Sequence, residues 1–380
     1  MVLFRHIARY IKATDRILIF LTMLATVFGV ILIDSATQGS VRMIAVQIIG
    51  IVIGFVIMVV ISQIDYHDIA SAWKVLAVVS VFFLILTIAI GSSRAGSQDR
   101  AWIRIGSNTV QPSEFIKIIF AITFAKHYDL IKEEITKPRN VLLLTLHAIV
   151  PIVLLFIQRD MGMLLVYTLM FVCMMFAANV KLRYFAIAGL TGLICAPILW
   201  SKFLGATQKN RILALFDPVK YSVDAYQQTQ GRLAIGSGGL FGEGLFHGQI
   251  TQGAASQLPE KQNDMIFAVA GEELGFIGCI AILAIFLFFL LRLIQVARTS
   301  KDPMGYIICI GVFSSFAAQI TVNIAAALML FPITGISLPF FSYGGSSIVS
   351  CFAAVGVALS VYMHRNTNIF SNKSVSTLTQ

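Results

Sequence analysis

Charge is what this sequence has least of. Only 12% of its 380 residues are Asp, Glu, Lys or Arg, about half the share of an ordinary soluble domain. With 58% of the chain hydrophobic, that scarcity argues against a soluble globular protein. Many apolar runs reach the length of a bilayer-spanning helix, about twenty residues. The alternating pattern of a membrane β-barrel is also missing, so the expected fold class is all-α. The cysteines (Cys173, Cys195, Cys279, Cys309, Cys351) all lie in apolar runs without metal-ligand spacing. They read as core residues, which argues against disulfide or redox chemistry. The histidines are scattered, with no partner at metal-ligand spacing. No Walker lysine and no dinucleotide fingerprint are present, so no nucleotide is expected.

What is there is a series of about ten apolar spans, near 17–34, 44–63, 74–91, 111–127, 141–157, 162–179, 184–201, 265–291, 305–330 and 344–363. This predicts one polytopic membrane domain, with no internal repeat. The basic start RHIARYIKATDR precedes a long first run, and Asp34-Ser35-Ala36-Thr37 is a poor cleavage site. The first run therefore reads as an uncleaved helix. An even number of spans puts both termini on one side. If that side is cytoplasmic, the inside segments hold most of the Lys and Arg, including Arg5 and Arg9. The short outside loops hold only Arg42, Arg94, Arg100, Arg104 and Arg159. The net charge of +10 is then explained by orientation rather than by nucleic acid. The tail 365–380, rich in Ser, Asn and Thr, is expected to be mobile and cytoplasmic. One long polar loop, 202–264, falls on the extracytoplasmic side. Its aromatic and leucine content (Phe216, Tyr221, Leu240, Phe241) predicts a folded cap at the membrane surface.

Polar groups that stand out against the apolar background are candidate functional residues. Asp264 ends the long loop and begins an apolar run, where it fits a helix cap, a base or a metal ligand. Glu114 and Lys117 are three apart in Gln111-Pro112-Ser113-Glu114-Phe115-Ile116-Lys117, so they share a helix face. Either they form a structural ion pair or they belong to a cavity for an anionic group. Asp160 suits an N-cap, and equally a partner for Lys117. Glu272 and Glu273 lie inside an apolar run and suggest a polar cavity continuing into the bundle. Gly236, Gly238, Gly239, Gly242 and Gly244 fit tight turns or a nest of amides for phosphate. The Ser337–Ser347 segment, containing Ser342, fits a re-entrant or tightly packed loop. One extracytoplasmic cavity would collect these groups. Its cations suit a phosphorylated ligand, and its acids suit proton transfer or a divalent ion.

Three segments resemble the SEDS family (shape, elongation, division and sporulation; the RodA/FtsW/SpoVE family) across nearly the whole chain. QPSEFIK is similar to the family's QPSE-x-x-K. GRLAIGSGGLFGEGLFHGQ with LPEKQNDMIFAVAGEELG is similar to its IGSGG…LPE…TDFIFA…EELG signature. SLPFFSYGGSS is similar to its closing loop. The short tails fit the RodA-like elongation branch slightly better than the division branch. The chain departs from the pattern at Asn263 (usually Thr), Arg159 (usually Pro) and Met161 (usually Leu). It also has Ala101 between Arg100 and Trp102, which leaves Arg100 and Arg104 both open as the family's outer-loop arginine.

The resemblance implies an inverting peptidoglycan glycosyltransferase of the bacterial inner membrane that polymerises lipid II. It implies Asp264 as the essential aspartate, supported by Lys117, Glu114 and Asp160. Arg100, Arg104, Arg211, Glu272 and Ser342 are further candidates for binding or support. A divalent cation, Mg2+ or Mn2+, is expected, held by Asp264 if it acts as a ligand. The expected partner is a class B penicillin-binding protein, alongside other elongation or division proteins. A lipid II flippase and a scaffold that only recruits a transpeptidase are the competing classes.

Overall fold

The computed structural model describes residues 10, 12–93, 99–106, 108–253 and 258–366. The expected tail beyond residue 366, the basic residues Arg5 and Arg9, and Arg94 lie outside the described residues. In chain order the helices begin with α1 (Arg16–Ala36), α2 (Val41–Gln63), the short α3 (Tyr66–Ser71) and α4 (Trp73–Ile90). A small antiparallel hairpin follows, β1 (Ile103–Ile105) and β2 (Asn108–Val110), with Arg104 opposite Thr109. Then come α5 (Pro112–Ile131), α6 (Pro138–Ile157), α7 (Met161–Ala177) and α8 (Leu182–Ile198), the last prolonged by a π-helical turn to Phe203. The polar segment carries α9 (Ala206–Leu213), α10 (Ser222–Ser237) and α11 (Gln249–Gln252). The chain ends in α12 (Ile266–Arg298), α13 (Pro303–Ala327) and α14 (Gly345–Met363).

The protein is an all-α polytopic membrane protein apart from that hairpin. Among the described residues, 8 helices are long and apolar enough to cross a membrane. The other two expected spans coincide with α5 and α7. Glu114, Lys117, Lys126 and Asp129 interrupt α5, and α7 is only 17 residues long.

Sequence chemistry explains where the helices start. Asp15, Asp160 and Asp302 accept the amides of Leu18, Met163 and Gly305 at 2.8, 3.0 and 2.7 Å, each a cap that stabilises its helix by about 1 kcal/mol. Pro112, Pro138 and Pro303 occupy first turns, where no amide partner is lost. The core lies around α13 and α14. Small residues set the α2–α14 seam: a Cβ added at Gly54 would stand 2.9 Å from the Phe352 ring, and one at Gly356 would stand 2.9 Å from the Met58 backbone. By contrast, α8 has no buried residue.

The glycine-rich stretch is joined directly to α12. That helix breaks at Gly275, whose φ of 66° suits glycine. At the break, the carbonyls of Glu272 and Glu273 accept the amides of Glu243 and Gly244, both at 2.9 Å. The amides of Phe276 and Ile277 donate instead to Gly239 and Leu240 at 2.9 and 3.2 Å. The loop thus takes over the hydrogen bonds of the missing helical turn. A Cβ at Gly242 would sit 2.2 Å from the Glu273 carbonyl. The glycines therefore serve close packing, and the amides of Gly242, Glu243 and Gly244 bond main-chain carbonyls.

Candidate active site

The polar starts of α5, α7 and α12 meet at one end of the bundle. They enclose a cavity of about 520 Å3 lined by Gln111, Glu114, Asp160, Asn263 and Asp264. Apolar side chains of α2, Val46, Ile49 and Ile53, line the same cavity. Trp102 brings the hairpin to the rim, and the 334–337 and 343–347 segments close the remaining side.

Asp264 is half-buried. It does not cap α12: the N-cap is Met265, and that cap makes no side-chain bond. The capping alternative for Asp264 is therefore corrected. Its Oδ1 accepts from Gln227 Nε2 of α10 at 3.2 Å. Ser342 is buried and faces protein; its Oγ accepts the Leu338 amide at 2.7 Å and donates to the Asn263 carbonyl at 2.5 Å. The Tyr343 amide donates to the Gln262 carbonyl at 2.8 Å.

Glu114 and Lys117 form the structural ion pair. Lys117 is 1% exposed, and its Nζ donates to Glu114 Oε2 at 2.5 Å and to Gln319 Oε1 at 2.9 Å. Gln319 Nε2 and Ser350 Oγ donate back to Glu114 at 3.1 and 3.0 Å. The ammonium lies behind Glu114 and is not among the groups that line the cavity. Asp160 does not neutralise it. Besides capping α7, Asp160 accepts from Gln111 Nε2 at 2.8 Å. Burial pushes its carboxyl up to about 6.

The other candidates are dispersed. Arg211 lines a second hollow of about 260 Å3, together with Arg159, Asp160 and Thr334, and donates to the Ile333 carbonyl at 3.3 Å. Asp160 and Thr334 line both hollows. Arg100 and Arg104 are exposed; neither lines the main cavity. Glu272 and Glu273 do not extend the cavity. Glu272 accepts the amides of Ile250 and Thr251 at 2.6 and 2.9 Å. Glu273 accepts from Ser35 Oγ at 2.6 Å and from Gln252 Nε2 at 2.8 Å. They bind α11 and α1 to α12. Among the described residues no group of three His, Cys, Asp or Glu is arranged to hold a metal ion.

The neutral amides Gln227, Gln319 and Asn323 were not expected at this site. Gln319 and Asn323 are four apart on α13, so they share a helix face. That spacing within an apolar run was the available signal.

The family model described as cell cycle protein FtsW/RodA/SpoVE matches residues 15–367. Stage V sporulation protein E of Bacillus subtilis is 34% identical over 362 residues, covering 91% of this chain and 96% of that protein. Peptidoglycan glycosyltransferase MrdB of Escherichia coli K12 is 30% identical over 354 residues, with 92% and 94% covered. Among solved structures, one chain from work on the structural coordination of polymerization and crosslinking by a peptidoglycan synthase complex superposes with a TM-score of 0.79. It is 23% identical and covers 93% of this chain and 99% of that one. The rod shape determining protein RodA of Thermus thermophilus gives a TM-score of 0.69 at 24% identity, with 93% and 98% covered. The match over residues 15–367, together with the cavity built from QPSE, QRD and NDMIFA segments, shows that the chain belongs to the FtsW/RodA/SpoVE family.

Proposed function

We propose that this chain is a peptidoglycan glycosyltransferase, the activity named for its relatives, and that its substrate is lipid II. One observation carries the proposal: Asp264 shares a single cavity with Asp160 and Glu114 and with apolar side chains of α2. A sugar on a polyprenyl pyrophosphate needs both surfaces at once. In this reading Asp264 takes the proton from a sugar hydroxyl of the acceptor. That oxygen bonds to the donor's anomeric carbon, and the bond to undecaprenyl pyrophosphate breaks on the opposite face. The α-linked donor becomes a β-linked glycan. The energy comes from the pyrophosphate ester, so no nucleotide is used.

The alternative role for Asp264 is to hold a divalent cation, Mg2+ or Mn2+, in place of acting as the base. Magnesium commonly takes one or two carboxylates together with substrate phosphates, and Asp264 supplies one such carboxylate at the cavity wall. When bound, the cation would neutralise charge on the leaving pyrophosphate. The topology proposed is ten crossings in the bacterial inner membrane, both termini cytoplasmic and the cavity outside. The proposed partner is a class B penicillin-binding protein. The superposition on a chain of a synthase complex supports that reading.

The test is purified protein with lipid II and Mg2+ or Mn2+ in detergent, read as glycan chains. Polymer formed without partner or gradient separates the enzyme from a flippase or a scaffold. Normal chains from Asp264→Ala would sink the catalytic assignment.

A further inference from the structure

We infer that Asn323 is a positioning residue that sets the place of Asp264 in the cavity. This rests on the reading of Asp264 as the base. Asn323 is 2% exposed on α13. One Nδ2 hydrogen goes to the Asp264 carbonyl at 2.9 Å, and the other goes to the Ile336 carbonyl at 2.8 Å. Both partners are acceptors, so the NH2 group must be the one that faces them. Its Oδ1 has no hydrogen-bond partner. A buried amide with an idle acceptor is costly, yet the side chain is held by its two donors alone.

The two carbonyls belong to two separate segments that line the cavity. Asp264 is the acid, and Ile336 lies in the 334–337 wall. One planar amide therefore fixes the distance between them. It also completes a row. The carbonyls of Gln262, Asn263 and Asp264 accept in turn from the Tyr343 amide, Ser342 Oγ and Asn323 Nδ2. Asn323 is the bond of that row that reaches Asp264 itself. A general base must lie within hydrogen-bond reach of its proton, and a shift of about 1 Å costs roughly a hundredfold in rate.

The experiment compares purified Asn323→Ala, Asn323→Asp and Asp264→Asn in lipid II polymerisation, with kcat, KM, pH profile and thermal unfolding. Asn323→Ala is expected to lower kcat about 30- to 100-fold with little change in KM. Asn323→Asp keeps the volume and removes both donors once its carboxyl is ionised; burial raises that carboxyl, so the full loss is expected at alkaline pH. Its kcat should recover relative to wild type as pH falls, because a protonated carboxyl can again donate to one carbonyl. Hydrogen exchange at the amides of residues 260–266 should rise in both variants. Wild-type kcat and pH profile in Asn323→Asp, beside an inactive Asp264→Asn, would overturn this inference alone. A lower unfolding temperature with unchanged kcat would overturn it as well. Full activity in Asp264→Asn would overturn both this inference and the base assignment.

Discussion

Asp264 and the pair Glu272–Glu273 flank the same first stretch of α12, yet they live in opposite circumstances. The two glutamates are buried, and four donors hold them: the Ile250 and Thr251 amides, Ser35 and Gln252. Asp264 is half-buried, lines the cavity and has a long side-chain bond from Gln227. Glu114 falls between the two, since it lines the cavity but is held by Lys117, Gln319 and Ser350. A carboxylate in an apolar run is thus not by itself a working group. Of these carboxylates Asp264 and Glu114 line the cavity, and of those two Glu114 is tied to a buried ammonium.

That contrast can be broken in four ways. The largest effect is expected for Asp264→Asn, which should abolish glycan synthesis by more than about a thousandfold, within the range general base and electrostatic roles supply together. Its unfolding temperature should stay near wild type. Lys117→Met should act oppositely. Removing one partner of a buried pair costs about 3–5 kcal/mol, read as loss of folded protein in detergent, and adding Glu114→Gln should restore part of it. Glu272→Ala leaves two amides unpaired and should cost about 2–3 kcal/mol, seen as faster protease cutting within 245–253. The smallest effect concerns pH. Burial raises Asp160 to about 6, above an unfolded value of about 3.9. Its protonated form is the one the fold favours. That contribution is complete below the unfolded value and is lost as pH rises through about 6, worth at most about 2–3 kcal/mol. Unfolding temperature should therefore fall between about pH 4 and pH 7, and Asp160→Asn should flatten the trend.

Much of this was legible in the sequence because charge is so scarce. Asp264, Asp160 and Glu114 stood out against apolar runs, and the structure brings all three to one cavity. Lys117 was equally visible, but its direction was not: a long side chain three residues from Glu114 can point into a cavity or behind it. Asn323 and Gln319 were hidden for a different reason. A neutral amide hardly lowers the hydropathy of a helix such as α13, and its importance depends on which carbonyls come near it. The hairpin at Ile103–Val110 was missed because its strands are three residues each, too short for alternation to register. The break in α12 was hidden too, since a single glycine in a long apolar run leaves the periodicity almost intact.

That break has a mechanical consequence. Because the glycine loop supplies the bonds of the missing turn at Gly275, loop and helix form a single jointed lever. The same helix begins two residues after Asp264, and toward its other end Arg292 is bound to Asp15 at 2.6 Å, so one element is tied both to the glycine loop and to the start of α1.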